Sequence, residues 1–152
     1  MWAYSFSATV LQQFWTCFHI DHDYAPNTVI YPHVHWFNAA AVPNTGNVRW
    51  GFEYVVAKGH SQQAFPLTAS TTVYKTQASS ATRYMHAIAE VAIGDAIPAT
   101  NLEPDSLIYM RVFRDAADAA DTCTDKVYAF LADLHYQADA FGTLNKAPNF
   151  NA

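Results

Sequence analysis

Charge is what this sequence has least of. Only 14% of its 152 residues are Asp, Glu, Lys or Arg, against roughly 25% in ordinary soluble domains. Cations are the scarcest: eight Lys plus Arg face thirteen Asp plus Glu, for a net charge of -5, and no basic run occurs anywhere. A groove that tracks phosphates needs clustered Lys and Arg, so nucleic acid is not an expected partner. Cysteine is nearly absent. Cys17 and Cys123 lie far apart and neither has a CxxC partner, so two reduced small hydrophobes are expected rather than a disulfide. Long apolar runs are missing as well, because Pro, Asn or His breaks each one well short of the roughly 20 residues that a membrane-spanning helix requires. Met1-Trp2-Ala3-Tyr4-Ser5 has no basic start leading into a continuous apolar stretch; no export signal is expected, and assembly in a reducing cytoplasm is the simplest inference. No GxSxG, P-loop or GxGxxG pattern is present, which removes support for nucleophile-elbow and phosphate-cradle chemistry.

Aromatic residues are abundant, at 15%, in a chain that is 51% hydrophobic. At this length one domain is expected. A charge-poor, Tyr- and Trp-rich chain has little polar surface with which to stay alone in water, and such residues suit interfaces. A subunit that hides its faces against neighbours is the expectation.

The dominant period is two. In Thr28 to Phe37, Tyr31, His33, His35 and Phe37 fall on one side, Val34 and Trp36 on the other. Val42-Pro43-Asn44-Thr45-Gly46-Asn47 reads as a hairpin loop, and Val48 to Ala57 as its return strand, with Val48, Trp50, Phe52, Tyr54 and Val56 sharing one face. Further strands are expected at 71–76, 82–93, 106–114 and 126–137, with Arg111 on the face of Leu107, Tyr109 and Phe113, and Arg114 on that of Ile108, Met110 and Val112. Asp115 to Ala120 reads as a loop or single turn, part of a solvated acidic segment that lacks the glycine and glutamate of a calcium loop. Several short strands separated by Gly, Pro and Asn turns predict an all-β antiparallel sandwich or barrel. Residues 1–18 read as an N-terminal strand or arm, 19–138 as the domain, and 139–152 as an extended C-terminal tail.

His33-Val34-His35 places two imidazoles on one strand face at a spacing that a metal can bridge. Metal-binding jelly rolls of the cupin type use such a pair with a carboxylate and a third histidine; His135 or His86 could supply the histidine, and Glu53 or Glu90 the carboxylate. The glutamate and framing glycines of that motif are missing after His35. The competing reading is a hydrogen-bonded structural network. Asp21-His22-Asp23 reads as a solvated turn.

Together Asp21-His22-Asp23, Tyr31-Pro32-His33-Val34-His35-Trp36, Val48-Arg49-Trp50-Gly51-Phe52-Glu53-Tyr54, Leu107 to Asp115, Asp121-Thr122-Cys123-Thr124, Asp133-Leu134-His135-Tyr136-Gln137 and Gly142 resemble, in order and spacing, a group of small virion proteins of tailed bacteriophages. The resemblance spans residues 19–146, and Cys123 stands where the pattern has an aromatic. It implies a jelly-roll β-sandwich, a homotrimeric cement or decoration subunit that binds the major capsid protein lattice, located on the virion, without catalytic activity or cofactor. It also implies that His33, His35, Trp36, Trp50, Glu53, Tyr54, Arg111, Arg114, Asp115, His135 and Tyr136 are structural and form one polar and aromatic network. Two alternatives stay open: a cupin-like metal-dependent enzyme using His33, His35 and His135, and a carbohydrate-binding sandwich stacking Trp36 or Trp50 on sugars.

Overall fold

Eight strands account for nearly all the regular structure in the computed structural model, which describes residues 2–139. They are β1 (Tyr4–Phe6), β2 (Gln13–His19), β3 (Tyr31–Asn38), β4 (Asn47–Ala57), β5 (Thr71–Ala78), β6 (Ala87–Glu90), β7 (Leu107–Arg114) and β8 (Val127–His135). Two single 3-10 turns, Ile93–Asp95 and Ala99–Asn101, lie between β6 and β7. The strands form two four-stranded sheets, in the orders β1-β8-β3-β6 and β2-β7-β4-β5, with every pairing antiparallel. Except from β4 to β5, each strand is followed by one in the opposite sheet. This is the double-sheet, Greek-key arrangement of a jelly roll.

The inward faces are those that the alternation marks. β4 buries Val48, Trp50, Phe52, Tyr54 and Val56, β7 buries Ile108, Met110 and Val112, and β3 contributes Val34 and Trp36. Trp36 and Trp50 are 1% and 0% exposed, and their rings meet across the sandwich at 5.9 Å. Phe6 packs edge-on to Trp50 at 4.9 Å and ties β1 into the same core. Burying a large apolar side chain contributes about 1.5–3 kcal/mol, so these rings dominate the packing.

That core corrects one expectation. β3 and β4 do not form a hairpin; β3 pairs with β6 and β8, and β4 with β5 and β7. A hairpin would set the two apolar faces side by side on one sheet, whereas the sandwich sets them face to face. The connection 39–46 crosses from one sheet to the other, anchored by Asp125, which accepts from Asn38 Nδ2 at 2.9 Å and from the Asn44 amide at 2.6 Å.

The strand expected over 82–93 is shorter. Tyr84 holds φ 60° and its amide donates to the Asn38 carbonyl, so the ladder begins only at Ala87. Within residues 1–18, Tyr4–Phe6 and Gln13–Phe18 are strand, paired with β8 and β7. The C-terminal tail proposed for 139–152 lies outside the described residues apart from Asp139. Residues 115–120 form turns, as expected, but the acidic segment is not a solvated loop. Asp115 and Asp118 approach Arg49 Nε at 3.4 and 3.5 Å, and Asp121 pairs with Arg114 at 2.7 Å.

Candidate functional site

The outward face of the β1-β8-β3-β6 sheet carries the densest chemistry. On β3 the outward residues are Tyr31, His33, His35 and Phe37. Register sets Glu90 of β6 and Asp133 of β8 on either side of His33. His135 lies opposite Tyr31, one diagonal step from His33. Directly opposed residues have Cβ atoms about 4.5–5.5 Å apart and diagonal ones about 7–8 Å, within reach of imidazole and carboxylate side chains.

The side chains converge accordingly. The rings of His33 and His135 lie 4.0 Å apart, His33 Nε2 is 3.1 Å from His35 Nε2, and His35 Nδ1 is 2.8 Å from His86 Nε2. Glu90 takes a hydrogen bond from His135 and lies 3.9 Å from His33 Nδ1. Within this row His33, Glu90 and His135 place one ligand atom each within 4.8 Å of one another, as do His33, His35 and Asp133. His33 is only 1% exposed although its strand face looks outward, because the neighbouring side chains cover it. Burial, and then the positive potential of His135, hold its pKa below the usual histidine value. Burial and His86 do the same for His35. Burial thus favours the neutral form of His33 and His35, the form in which imidazole offers a lone pair.

Beside this row the same face turns aromatic. Phe37 stacks on Tyr128 at 5.4 Å and contacts Phe130 at 4.9 Å and Tyr84 at 5.9 Å. Phe37, Tyr84, His86 and Phe130 line an apolar depression of about 360 Å³. Trp2, Tyr4 and Phe130 border a further depression, and Trp2 is 98% exposed. A β-bulge sharpens the ledge. The pairing of β3 with β8 slips between His35 and Trp36, so that Phe130 has no partner and Phe130 and Leu131 both remain exposed.

A second histidine cluster lies where loops meet at the end of β2. His19 Nε2 is 2.8 Å from Asp105 Oδ1, and His22 and His60 bring Nε2 to Asp105 Oδ2 at 3.0 and 2.5 Å. Partial burial opposes ionisation of Asp105, yet hydrogen bonds from His60, His19 and His22 outweigh it and hold its pKa at about 2. No local pattern announces this cluster, since His60 and Asp105 come from loops distant in sequence. Asp21-His22-Asp23 is correspondingly no free turn: Asp23 accepts a 2.9 Å bond from the Tyr136 hydroxyl, whose pKa burial and then Asp23 push up to about 12.

The eleven residues expected to make one network divide into separate groups. His33, His35 and His135 share the outer row. Trp36 and Trp50 are core, and Tyr54 lies beside them, 5% exposed. Trp36 donates from Nε1 to Gln77 at 2.8 Å. Neither tryptophan has a face free to stack on a sugar. Glu53 and Arg111 pair at 2.5 Å on the opposite outer face, where Ser70 donates to Glu53 and, with Arg111, lowers its pKa. Arg114 is fully buried and held by Asp121 at two points, 2.7 and 2.8 Å, and by the carbonyls of Cys123 and Asp125. Asp115 joins Arg49, and Tyr136 joins Asp23. The histidine pair also corrects the cupin-like expectation in one respect: it points out of the sandwich, while Val34 and Trp36 occupy the interior.

No family model matches the chain, and neither does any curated protein. Among solved structures, the chain is similar over 87% of its length to a chain in the structure of the infectious bursal disease virus Gt strain, with a TM-score of 0.38 and 12% identity. It spans 32% of that chain. Among the described residues, no helix is long and apolar enough to cross a membrane.

Proposed function

We propose that this chain is a virion structural protein, a cement or decoration subunit that works by burying its outer sheet faces against protein: other copies of itself in a trimer, and the major capsid protein lattice. The observation that carries the reading is the aromatic ledge on the β1-β8-β3-β6 sheet, where exposed Tyr84 and Phe130 and half-buried Tyr128 surround the buried ring of Phe37. Exposed apolar patches of this kind mark interaction sites, and aromatic residues are enriched at the centres of interfaces. The second outer face adds Trp15 stacked on Tyr109 at 5.2 Å, both exposed. The resemblance of the PHVHW and WGFEY strands to phage virion proteins supplies the class of partner. A trimer engaging several lattice neighbours gains avidity from modest contacts.

The test is decoration of particles that lack this protein, by wild type and by Tyr84→Asp and Phe130→Asp. Both side chains are largely outside the core, so the variants should melt within a few degrees of wild type and yet leave the particles bare. Wild-type protein that fails to bind the particles, or variants that bind as well as wild type, would overturn the proposal.

A further inference from the structure

The histidine row does not need the aromatic ledge to be explained, and it gathers imidazole nitrogens beside two carboxylates. Each neutral imidazole carries one N–H and one lone pair, so the rings can link by hydrogen bonds without an ion and offer the same lone pairs to one. Protonated imidazoles at these separations repel one another. A divalent cation takes those lone pairs in place of protons and is itself countered by the carboxylates of Glu90 and Asp133.

We propose that the outer face of the β1-β8-β3-β6 sheet binds a divalent transition-metal ion through His33, Glu90 and His135. The three come from adjacent strands, β3, β6 and β8, whose register places them together. Strand-borne ligands are held more rigidly than loop-borne ones. Their ligand atoms all lie within 4.8 Å of one another, with His33 Nδ1 at 3.9 Å from Glu90 Oε2. Two atoms bound to one tetrahedral zinc at its usual bond lengths lie roughly 3.3 Å apart, so the widest contact closes by at most about 1.5 Å as the side chains adjust around an ion. Two imidazoles and one carboxylate suit zinc, cobalt or nickel rather than calcium or magnesium. His35 and Asp133 flank the set, His35 with its Nε2 3.1 Å from His33 Nε2 and Asp133 opposite His33 in the ladder.

Three protein ligands leave the fourth tetrahedral position open. His135 and Glu90 have side chains 57% and 37% exposed, so that position faces outward. This is unlike an enzyme centre sunk in a barrel interior; it is a metal on a surface, available to water or to a ligand from whatever covers the face. The site does not depend on the partner proposed above, and its test uses the isolated chain.

Untagged protein, stripped with chelator and dialysed, is titrated with Zn²⁺ by calorimetry and with Co²⁺ by visible absorption. One ion per chain is expected, with the intense visible bands of tetrahedral cobalt. His135→Gln and Glu90→Gln should each weaken binding at least tenfold while keeping the wild-type circular dichroism spectrum; both side chains are exposed enough for the fold to tolerate the change. His60→Gln, in the other histidine cluster, should bind as wild type. Absence of saturable binding would overturn the site. So would loss in His35→Gln with His135→Gln unaffected, or loss confined to His60→Gln.

Discussion

Arg114 shows what a charge-poor protein does with its few cations. Its guanidinium is taken out of water entirely, and Asp121 holds it at two points while backbone carbonyls of the β7–β8 connection accept its other donors. Breaking such a pair strands a charge in a low-dielectric interior, which costs about 3–5 kcal/mol, a large share of the roughly 5–15 kcal/mol that holds a domain together. Asp121→Ala should therefore shift the urea midpoint by an amount worth about 3–5 kcal/mol. Asp115→Ala removes one of two partly exposed partners of Arg49, which keeps Asp118 at 3.5 Å and the Tyr74 ring at 4.0 Å; a change of about 1 kcal/mol or less is expected there. Equal effects would mean that burial is not what separates the two arginines.

At the level of elements, the Asp105 cluster fastens the β2 end, the loop after β4 and the approach to β7 to one carboxylate. Because the folded pKa of Asp105, about 2, is below its ordinary value of 3.8, this contribution is fully present above about pH 3.8 and is lost as pH falls toward 2. Its carboxylate is 30% exposed, and the groups facing it are His19, His22 and His60, with Asp21 beyond His19. Solvent screening brings the expected effect to about 1 kcal/mol. Urea midpoints of wild type and Asp105→Asn, measured from pH 5 to pH 2, should differ above pH 4 and converge below it; parallel curves would contradict this. Alternation revealed strands from β3 onward and separated the two faces of β3, β4 and β7, because burial imposes a period of two on any strand with one wet side. It could not reveal which strands pair. Val48 to Val56 presents the same apolar stripe whether its neighbour is β3 or β7, and Pro43 to Asn47 serves equally for a tight reversal or a passage between sheets. The His33–His35 spacing was visible, but Glu90 and His135 reach it only through register. Asp105 meets its histidines through loops whose contacts no local pattern encodes.

For the whole molecule, the two outer faces set the expected state of association. One carries the aromatic ledge and the histidine row, and the other carries Trp15, Tyr109 and Leu107, all exposed. With a net charge of only -5, little long-range repulsion opposes contact between copies. Sedimentation equilibrium of the wild type from low to high micromolar concentration should give a trimer throughout. A monomer over that whole range would remove the trimer from the proposal while leaving assembly on a particle as a separate question, answered by decoration.

The bulge at Phe130 has a consequence for how such a surface changes over generations. On β8 the inward residues are Val127, Ala129, Ala132 and Leu134, with two outward positions, Phe130 and Leu131, in succession between the second and third. Loss of the single codon for Phe130 would restore strict alternation without moving any of these four residues to the wrong side. It would remove one ring from the ledge and leave the interior intact. The docking face can thus gain or lose an aromatic by a one-codon insertion or deletion. A lineage could in this way retune what the protein adheres to while inheriting the same core.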